Sequence, residues 1–261
     1  RIKMKDRAVR VGVFPISIDY NEFAAVAITK MVMERTAKLR RAMPDCQIIL
    51  GVDRLDYSKG IPQKLKAFRT ALELFSNLHG KIALVQLIVP SRENIPEYKT
   101  MRTEIEQLVS GINGQFGHPG WTPIHYMFRS LERNELISYY CAADIALVTP
   151  LKDGMNLVAK EYCAANIDKN AVLILSEFAG AAYQLGRYTL VVNPNDIVGT
   201  ANAIHRAYLM PIDERKARMK KLCRSIRERD IYWWLGRFLK AAAVEPHIRT
   251  SRGNRYTIST T

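Results

Sequence analysis

The chain has 261 residues, 48% of them hydrophobic, enough for one large or two small domains with a substantial core. No apolar run approaches the length of a membrane span and no signal-peptide pattern is present, so we expect a cytoplasmic protein without membrane contacts. The formal charge of +14 suits either nucleic acid or a basic cleft for phosphorylated ligands. Much of the excess lies in Arg35–Arg41 and Arg215–Arg229, runs typical of solvated helix faces, and no aromatic–basic RNA-binding pattern accompanies them.

The cysteines favour an intracellular protein with reduced thiols. They are widely scattered and show no paired metal-ligand spacing: Cys46, Cys141, Cys163 and Cys223. We therefore predict buried thiols, no metal and no cofactor. The sequence begins with Arg1 rather than Met, which suggests a piece of a longer protein.

The first strong pattern is a strand, a loop and a helix that begins near residue 61. A strand candidate, Val9–Phe14, and a helix-biased connector from Asn21 to Met43 precede it. The run Gln47–Val52 predicts a buried strand of the parallel-sheet kind. Pro62 suits the first turn of the helix that follows.

From there strands and helices alternate along the chain. Further strands are predicted at Ile82–Val89, Ile124–Phe128, Ile145–Val148, Val172–Leu175 and Leu190–Val192. Helices are predicted at Glu97–Ile112, Leu131–Ala142, Met155–Ala165, Asp196–Met210, Ile212–Arg229 and Asp230–Ala243, with a glycine-rich loop at Asn113–Pro123 and a loose tail from Glu245. Six strands in this alternation favour an α/β fold with a Rossmann-like, doubly wound parallel sheet.

Three common nucleotide and hydrolase motifs are missing. No GxGxxG follows the first strand of the alternation, which argues against an NAD-type Rossmann domain. The P-loop pattern GxxxxGK(S/T) does not occur, which excludes a P-loop NTPase. There is no G-x-S-x-G and the five histidines form no obvious partnership with a nucleophile.

Three cations follow predicted strands. Arg54 and Lys59 lie between a strand and a helix, at the carboxyl edge of a parallel sheet, where ligands bind. Two cations there can neutralise a diphosphate and stabilise it as a leaving group. Taken alone, each is explained equally well as a surface charge. Arg92 occupies the corresponding position after the next strand.

The segment Pro150–Glu161 predicts a strand end, a glycine turn and a helix. The unpaired N–H groups and the dipole at a helix N-terminus favour an anion such as phosphate. Asp153 would instead accept hydrogen bonds from neutral hydroxyls, and Glu161 could do the same deeper in the cleft. Anion and hydroxyls together suggest a sugar nucleotide, whereas the alternative is a capped helix with a solvated Glu161. A small-residue turn at Glu177–Ala182 would let backbone approach a ligand closely.

Three longer stretches together resemble the trehalose-6-phosphate synthase family, retaining glycosyltransferases of GT-B architecture. They are Val52–Gly60, Val148–Glu161 and Leu175–Ala181. Shorter matches occur at Gly111–Gly114 and Gly120–Pro123. The resemblance runs from about residue 9 to residue 243 without a large gap, so it covers nearly the whole chain.

The family implies two Rossmann-like domains that face each other across a cleft. This chain resembles the C-terminal, nucleotide-sugar-binding domain. The implied organisation is the end of the N-terminal acceptor domain at 1–25, a connecting helix at 26–45, the nucleotide-sugar-binding domain at 46–229, a cross-over helix at 230–243 and a flexible tail at 244–261. Ser17 stands where the family usually has glycine.

The same resemblance assigns roles to the donor-site residues. Arg54 and Lys59 would grip the donor diphosphate and act in catalysis. Asp153, the third catalytic residue implied, would accept a hydrogen bond from a glucose hydroxyl, and Glu161 would hold the ribose hydroxyls. The backbone of the following residues would meet the sugar and the phosphates: Gly154, Met155, Asn156 and Leu157.

Two further residues receive roles outside the diphosphate site. Leu131 would lie at the base-binding position, where contact is largely through backbone. Arg92 matches the family's arginine that reaches the acceptor phosphate. No metal or cofactor is implied, because Arg54 and Lys59 replace a metal at the leaving group.

The implied function is a retaining glucosyltransferase that moves glucose from UDP-glucose to glucose 6-phosphate, giving trehalose 6-phosphate. Glycerol 3-phosphate, giving glucosylglycerol-phosphate, is the alternative acceptor. A third alternative is a non-catalytic nucleotide-sugar-binding domain, because most of the acceptor domain is missing and this chain alone is expected to be inactive. The expected partners are the donor, the phosphorylated acceptor, the N-terminal domain of the same enzyme and a second copy in a homo-oligomer, with neither nucleic acid nor membrane.

Overall fold

The computed structural model describes residues 2–4, 7–9, 11–92 and 95–243. It opens with a short antiparallel pair, β1 (Ile2–Met4) and β2 (Arg7–Val9). Most of the remaining described residues form a parallel sheet between two layers of helices. The tail predicted to be loose lies outside the described residues.

The central sheet has six parallel strands in the order β5-β4-β3-β6-β7-β8. They are β3 (Gln47–Arg54), β4 (Ile82–Val89), β5 (Ile124–Phe128), β6 (Ile145–Val148), β7 (Val172–Ser176) and β8 (Leu190–Val192). All six predicted strands of the alternation are therefore present, and the Rossmann-like, doubly wound fold class is confirmed.

The side chains of β3 show why the sheet is covered on both faces. Ile48 and Leu50 belong to one hydrophobic cluster, whereas Ile49 between them belongs to the other. Successive side chains of a strand point to opposite faces, so an unbroken apolar run needs a helical layer on each side. Strands β3 and β4 pair in parallel register over all their residues, which aligns their carboxyl ends.

Helices supply both layers. They are α1 (Tyr20–Ala27), α2 (Lys30–Ala42), α3 (Ile61–Leu74), α4 (Pro96–Phe116), α5 (Arg133–Ala142), α6 (Val158–Ala165), α7 (Ala182–Leu185), α8 (Ile197–Leu209), α9 (Ile212–Glu228) and α10 (Ile231–Ala243). Helix α3 packs between α4 and α8 on one face. Helices α1, α2, α5, α6 and α9 cover the other. No helix within the described ranges has the length and apolar content needed to cross a membrane.

The strand order reverses between β3 and β6. From β3 the chain builds outward through β4 and β5 on one side, and from β6 it builds through β7 and β8 on the other. The connecting loops diverge at this switch point and leave a crevice at the carboxyl ends of the two central strands. In open α/β sheets, ligands bind in that crevice.

The C-terminal helix α10 packs against the segment 14–19. The amide of Ile231 donates to the Ile18 carbonyl at 2.9 Å, and the Trp234 indole donates to the Phe14 carbonyl at 2.9 Å. Lys160 of α6 donates to the Ile16 carbonyl at 2.7 Å, and burial lowers the pKa of this lysine to about 8. These contacts hold the segment 14–19 against α6 and α10, while the role of α10 as a cross-over helix stays a prediction.

The N-terminal region differs from the predictions in two respects. The strand predicted at Val9–Phe14 is absent, because β2 ends at Val9 and residues 11–14 have no regular structure. The helix-biased stretch is two helices rather than one. Thr29 is extended and bonds to the Val26 carbonyl through both its amide, at 3.1 Å, and its hydroxyl, at 2.8 Å, which ends α1 before α2 begins.

The glycine-rich loop predicted at Asn113–Pro123 is shorter than expected. Helix α4 continues through Gly114 to Phe116. The Asn113 side chain bonds the backbone of Ile124 in both directions at 2.9 Å, so a contact with β5 compensates for the weak helix propensity of glycine. The chain leaves the helix at Gly117, where a Cβ would lie 2.4 Å from the Asn113 carbonyl.

Candidate functional site

An open cavity of about 300 Å³ lies in the crevice between the carboxyl ends of β3 and β6. Four other cavities of about 270 to 360 Å³ occur elsewhere, so size does not distinguish this one. Its chemistry does, because its walls carry two cations and three carboxylates. The lining residues are Val52, Asp53, Arg54, Lys59, Val89, Leu136, Tyr140, Asp153, Met155, Asn156, Leu157, Val158 and Glu161.

Most of the predicted donor-site residues meet in this cavity. Arg54 ends β3 rather than following it, and Lys59 ends a short 3-10 turn, Tyr57–Lys59. Gly60 then has φ 62°, and a Cβ there would lie 2.9 Å from the Leu151 side chain, so glycine lets the two loops approach. The loop after β6 contributes Asp153 and the residues up to Leu157, and α6 contributes Glu161.

Asp153 and Lys59 form an ion pair across the cavity. The distance from Lys59 Nζ to Asp153 Oδ2 is 2.5 Å, and both side chains are largely buried, 15% and 12% exposed. We expected Asp153 to accept from neutral hydroxyls, but the structure shows that its partners include a cation. The residue predicted to hold the sugar therefore already holds the lysine predicted to grip the diphosphate.

Asp153 also organises its own loop. Its Oδ1 accepts the amides of Met155, at 3.3 Å, and Asn156, at 3.1 Å, and its Oδ2 accepts the Asn156 side-chain amide at 3.1 Å. Burial acts to raise the pKa of Asp153, but the hydrogen bond and charge of Lys59 and these donors outweigh it, so the pKa is lowered. The carboxylate is thus held ionised by a cation and three neutral N–H groups.

This arrangement corrects the predicted start of the helix. Helix α6 begins at Val158, not at Met155, because Asp153 takes the first two amides and Asn156 adopts a left-handed φ of 54°. The Asn156 side chain then accepts the Ala159 amide at 3.1 Å and acts as a cap.

Only some amides of this loop remain open to a ligand. The Met155 and Asn156 amides are taken by Asp153. The amides of Gly154, Leu157 and Val158 make no hydrogen bond with any residue that the structure describes. Nothing lies within 4 Å of a Cβ placed on Gly154, so its exposed side faces open space.

Glu161 lies in a different environment at the α5–α6 wall. Its Oε2 accepts a hydrogen bond of 2.8 Å from the hydroxyl of Tyr140, which is fully buried. Burial raises the pKa of Glu161, and the Tyr140 hydrogen bond and the charge of Arg133 oppose that rise without cancelling it. The alternative of a solvated Glu161 is therefore wrong, because its carboxylate is partly buried in the cavity wall.

Arg54 is the most available cation at the cavity. Its side chain is exposed and makes no hydrogen bond or ion pair within the described part of the chain. Burial acts to raise the pKa of nearby Asp56, but hydrogen bonds from Ser58 and the charges of Arg54 and Arg92 lower it. Arg54 is thus free to take an anionic ligand that enters the cavity.

Three predicted residues do not line the cavity. Arg92 is exposed after β4, with φ 51°, and its guanidinium lies 3.1 Å from the Tyr98 hydroxyl. Leu131 is half-buried and packs against the core just before α5. Gly154 lies in the loop and is exposed, but it is not among the lining residues.

The small-residue turn at Glu177–Ala182 supports the loop rather than touching the cavity. Asp153 donates its amide to the Phe178 carbonyl at 3.3 Å, and Gly180 donates to the Asp153 carbonyl at 2.7 Å. A Cβ on Gly180 would lie 2.0 Å from the Gly154 carbonyl. The turn therefore approaches the backbone of the loop at Asp153 and Gly154 closely, while its approach to a ligand stays a prediction.

Two polar residues of the cavity were missed from the sequence. Tyr140 lies within the predicted helix Leu131–Ala142 and was given no role there. Asp53 is the last residue but one of β3, and its Oδ2 accepts from Lys64 Nζ at 2.5 Å and from the Gln86 side chain at 2.9 Å. A charged residue in an apolar strand was the available signal for Asp53, since buried charges are paired.

The site carries no obvious metal-binding group. Among the residues that the structure describes, no cluster of three or more His, Cys, Asp or Glu is placed to hold a metal ion. The groups suited to an anionic ligand are instead the cations Arg54 and Lys59 and the open amides of the loop.

Known proteins of similar sequence and fold indicate the family of this chain. A relative from Dictyostelium discoideum, alpha,alpha-trehalose-phosphate synthase (UDP-forming) A, is 41% identical over 90% of this chain and 32% of its own length. The structure of a Burkholderia xenovorans alpha,alpha-trehalose-phosphate synthase (UDP-forming) in complex with glucose-6-phosphate is 37% identical, with a TM-score of 0.83, over 87% of this chain and 50% of that chain.

A further solved chain, described as trehalose-6-phosphate from E. coli bound with UDP-2-fluoro glucose, is 39% identical with a TM-score of 0.85. The match covers 89% of this chain and 51% of that one. The chain therefore spans about half the length of these solved proteins, which fits the prediction that it corresponds to one of two GT-B domains. A family model described as Glycosyltransferase family 20 matches residues 1–243. On this match, together with the fold and the cavity at its switch point, the chain belongs to glycosyltransferase family 20.

Proposed function

We propose that this chain is the nucleotide-sugar-binding domain of a retaining glucosyltransferase that transfers glucose from UDP-glucose to glucose 6-phosphate, giving trehalose 6-phosphate. The observation that carries the proposal is the cavity at the switch point, where Arg54, Lys59, Asp153 and Glu161 converge. Each supplies one contact that a nucleotide sugar needs: cations for the diphosphate and carboxylates for the hydroxyls.

The donor would bind with its diphosphate between Arg54 and Lys59. Lys59 has three N–H donors, so it can keep Asp153 and bind a phosphate oxygen together. The open amides of Gly154, Leu157 and Val158 would add donors for the phosphates or the sugar. In this pose Asp153 would accept from a glucose hydroxyl, and Glu161 would accept from the ribose hydroxyls.

The proposed chemistry relies on stabilising the leaving group. The bond between the glucose anomeric carbon and the diphosphate oxygen breaks, and its electron pair stays on the departing UDP. Arg54 and Lys59 stabilise that developing negative charge. The acceptor hydroxyl bonds to the anomeric carbon on the same face and gives its proton to the departing phosphate, so no protein nucleophile is required.

The choice of acceptor rests on relatives rather than on the cavity. A similar solved synthase carries glucose-6-phosphate, and another carries UDP-2-fluoro glucose. Arg92 would reach the acceptor phosphate from outside the donor cavity. We further propose that the missing contacts come from the N-terminal domain of the same enzyme, so that this chain alone binds the donor without transferring glucose.

Calorimetric titration of this chain with UDP, GDP and ADP tests the donor assignment. We expect UDP to bind more tightly than either purine nucleotide, and UDP-glucose to bind at least as tightly as UDP. Binding of GDP or ADP in preference to UDP would overturn the donor, and no binding of any nucleotide would overturn the site. Glucose transfer by the intact enzyme to glycerol 3-phosphate but not to glucose 6-phosphate would overturn the acceptor.

A further inference from the structure

We propose that Tyr140 is a positioning residue for the ribose of the donor, because its hydroxyl fixes Glu161 with one carboxylate oxygen turned to the cavity. This inference rests on the proposed function, since it assumes that a nucleotide enters the cavity. It adds a residue of α5 to the set that would hold the donor, which otherwise comes from β3, the two loops and α6.

The first support is that the two carboxylate oxygens of Glu161 differ in their hydrogen bonding. Its Oε2 accepts the Tyr140 hydroxyl at 2.8 Å. Its Oε1 has no hydrogen bond with the described residues, yet it is not among their fully buried polar atoms that lack a partner, so it keeps some exposed surface. One oxygen is therefore anchored in the wall and the other remains available to a ligand.

The second support is how firmly Tyr140 itself is held. It is completely buried, and its ring lies edge-on to that of Tyr162, with centroids 6.5 Å apart and an interplanar angle of 80°. Tyr162 is anchored in turn by a 3.2 Å hydrogen bond from its hydroxyl to the Ala143 carbonyl. A buried phenol needs a partner for its hydroxyl, and Glu161 is the one this packing presents to it.

The third support is that Tyr140 donates without bringing a charge. A cation in its place would neutralise Glu161 and compete with incoming hydroxyls. Arg133, whose charge lowers the pKa of Glu161, is exposed and forms its ion pair with Glu22 instead. An ionised carboxylate accepts only, so Glu161 suits a ligand that presents two neutral donors, such as the vicinal hydroxyls of a ribose.

The test compares Tyr140→Phe with the control Tyr139→Phe. Tyr139 is the adjacent residue of α5, half-buried, and its hydroxyl lies 3.4 Å from the sulfur of Met127 rather than on Glu161. Each protein is titrated with UDP and with 2′,3′-dideoxy-UDP by calorimetry, and its melting temperature is recorded. The dideoxy ligand lacks the hydroxyls that Glu161 would hold.

We expect Tyr140→Phe to weaken UDP binding by about 3- to 10-fold, the usual size of one hydrogen bond, and to leave dideoxy-UDP binding unchanged. Tyr139→Phe should change neither. An equal loss for both ligands would show that Tyr140 acts only on the structure, and an unchanged UDP affinity would show that it does not position Glu161. Either result overturns the inference.

The titrations distinguish a failure of the Tyr140 inference from a failure of the proposed function. If wild-type protein binds UDP more tightly than dideoxy-UDP while Tyr140→Phe keeps that preference in full, only the role of Tyr140 fails. If wild-type protein binds both equally, Glu161 does not hold the ribose, and both this inference and that part of the proposed function are overturned. If wild-type protein binds neither, the nucleotide site itself is wrong.

Discussion

Two carboxylates of the cavity, Asp153 and Glu161, were both predicted to accept hydrogen bonds from hydroxyls, yet their surroundings in the fold differ. Asp153 pairs with Lys59 at 2.5 Å and accepts three further N–H groups. Glu161 has one neutral donor, Tyr140 at 2.8 Å. As a result, the pKa of Asp153 is lowered, whereas burial raises that of Glu161.

The difference shows that two hydrogen-bond acceptors at one site can differ in how many protein donors they have before a ligand binds. Both oxygens of Asp153 already accept from protein donors, so it fixes a cation and a loop before any ligand arrives. Glu161 is desolvated and only half satisfied, so a ligand that brings hydroxyl donors completes its hydrogen bonding. In the proposed pose, the diphosphate would therefore meet a part of the cavity that is arranged before binding, whereas the ribose hydroxyls would complete the hydrogen bonding of Glu161.

The largest effect on UDP affinity is expected from removing the cations that would bind the diphosphate. Lys59→Ala should weaken UDP binding by about 1.5–3 kcal/mol, or roughly 10- to 150-fold, because it removes a charge-assisted hydrogen bond and leaves Asp153 without its cation. Arg54→Ala should weaken UDP binding within the same range. Calorimetry on each variant measures the loss.

Lys152→Ala is the matched control, because Lys152 is an exposed cation in the same loop, next to Asp153, and does not line the cavity. It should lower UDP affinity by much less than Lys59→Ala. Wild-type affinity in Lys59→Ala and Arg54→Ala would mean that the phosphates bind elsewhere.

The second prediction concerns stability without ligand. Asp153→Asn should lower the free energy of unfolding at pH 7 by about 1–3 kcal/mol, since Lys59 loses its buried partner. Glu161→Gln should raise it by about 0.5–2 kcal/mol, because a neutral amide relieves the buried charge. Chemical denaturation of the two variants and the wild type gives both values.

The pKa shifts of Asp153 and Glu161 determine how their contributions to the free energy of unfolding depend on pH. The stability from Asp153 is present above its unfolded pKa and is lost as pH falls through its lowered folded pKa. The folded pKa of Glu161 is raised, so its favourable contribution is present below the unfolded pKa and is lost as pH rises through the folded one. If Asp153→Asn and Glu161→Gln changed the free energy of unfolding at pH 7 in the same direction, the contrast between the two carboxylates would be contradicted.

The third prediction separates the sugar from the diphosphate. Asp153→Asn should keep the affinity for UDP within about threefold, since Lys59 remains and is released from its partner. It should weaken UDP-glucose by about tenfold, because the charged acceptor for the glucose hydroxyl is lost. Equal changes for UDP and UDP-glucose would remove the sugar role of Asp153.

The smallest effect is expected from the protonation of Glu161, which should make UDP affinity depend on pH. UDP affinity should fall a few-fold as pH drops through the raised pKa of Glu161, because the protonated carboxyl is a weaker acceptor for the ribose hydroxyls. Glu161→Gln should remove this step and leave only the titration of the phosphates. A wild-type profile that matches the variant would argue against ribose binding by Glu161.

The sequence was informative where a signal was local. The strands and the cations Arg54 and Lys59 follow from an apolar run and the loop behind it, and parallel pairing brings strand ends to one edge. The start of α6 was misplaced because helix propensity favours Met155 onward, whereas an Asp153 turn and the left-handed Asn156 take those residues out of the helix.

Local sequence patterns do not predict contacts between residues that are far apart in the sequence. Lys59 and Asp153 are 94 positions apart, and Tyr140 and Glu161 are 21 apart. Each residue alone fits several environments, so neither the pairing of Lys59 nor the role of Tyr140 follows from spacing. Their positions depend on how β3 and β6, or α5 and α6, pack in the finished fold.

A crystal structure of this chain with UDP tests the central claim most directly. The account predicts the diphosphate within hydrogen-bond distance of Arg54 and Lys59, with the ribose hydroxyls on the Oε1 oxygen of Glu161 and Tyr140 still on Oε2. UDP bound in another cavity, or in this one with its phosphates turned toward Glu161, would contradict it.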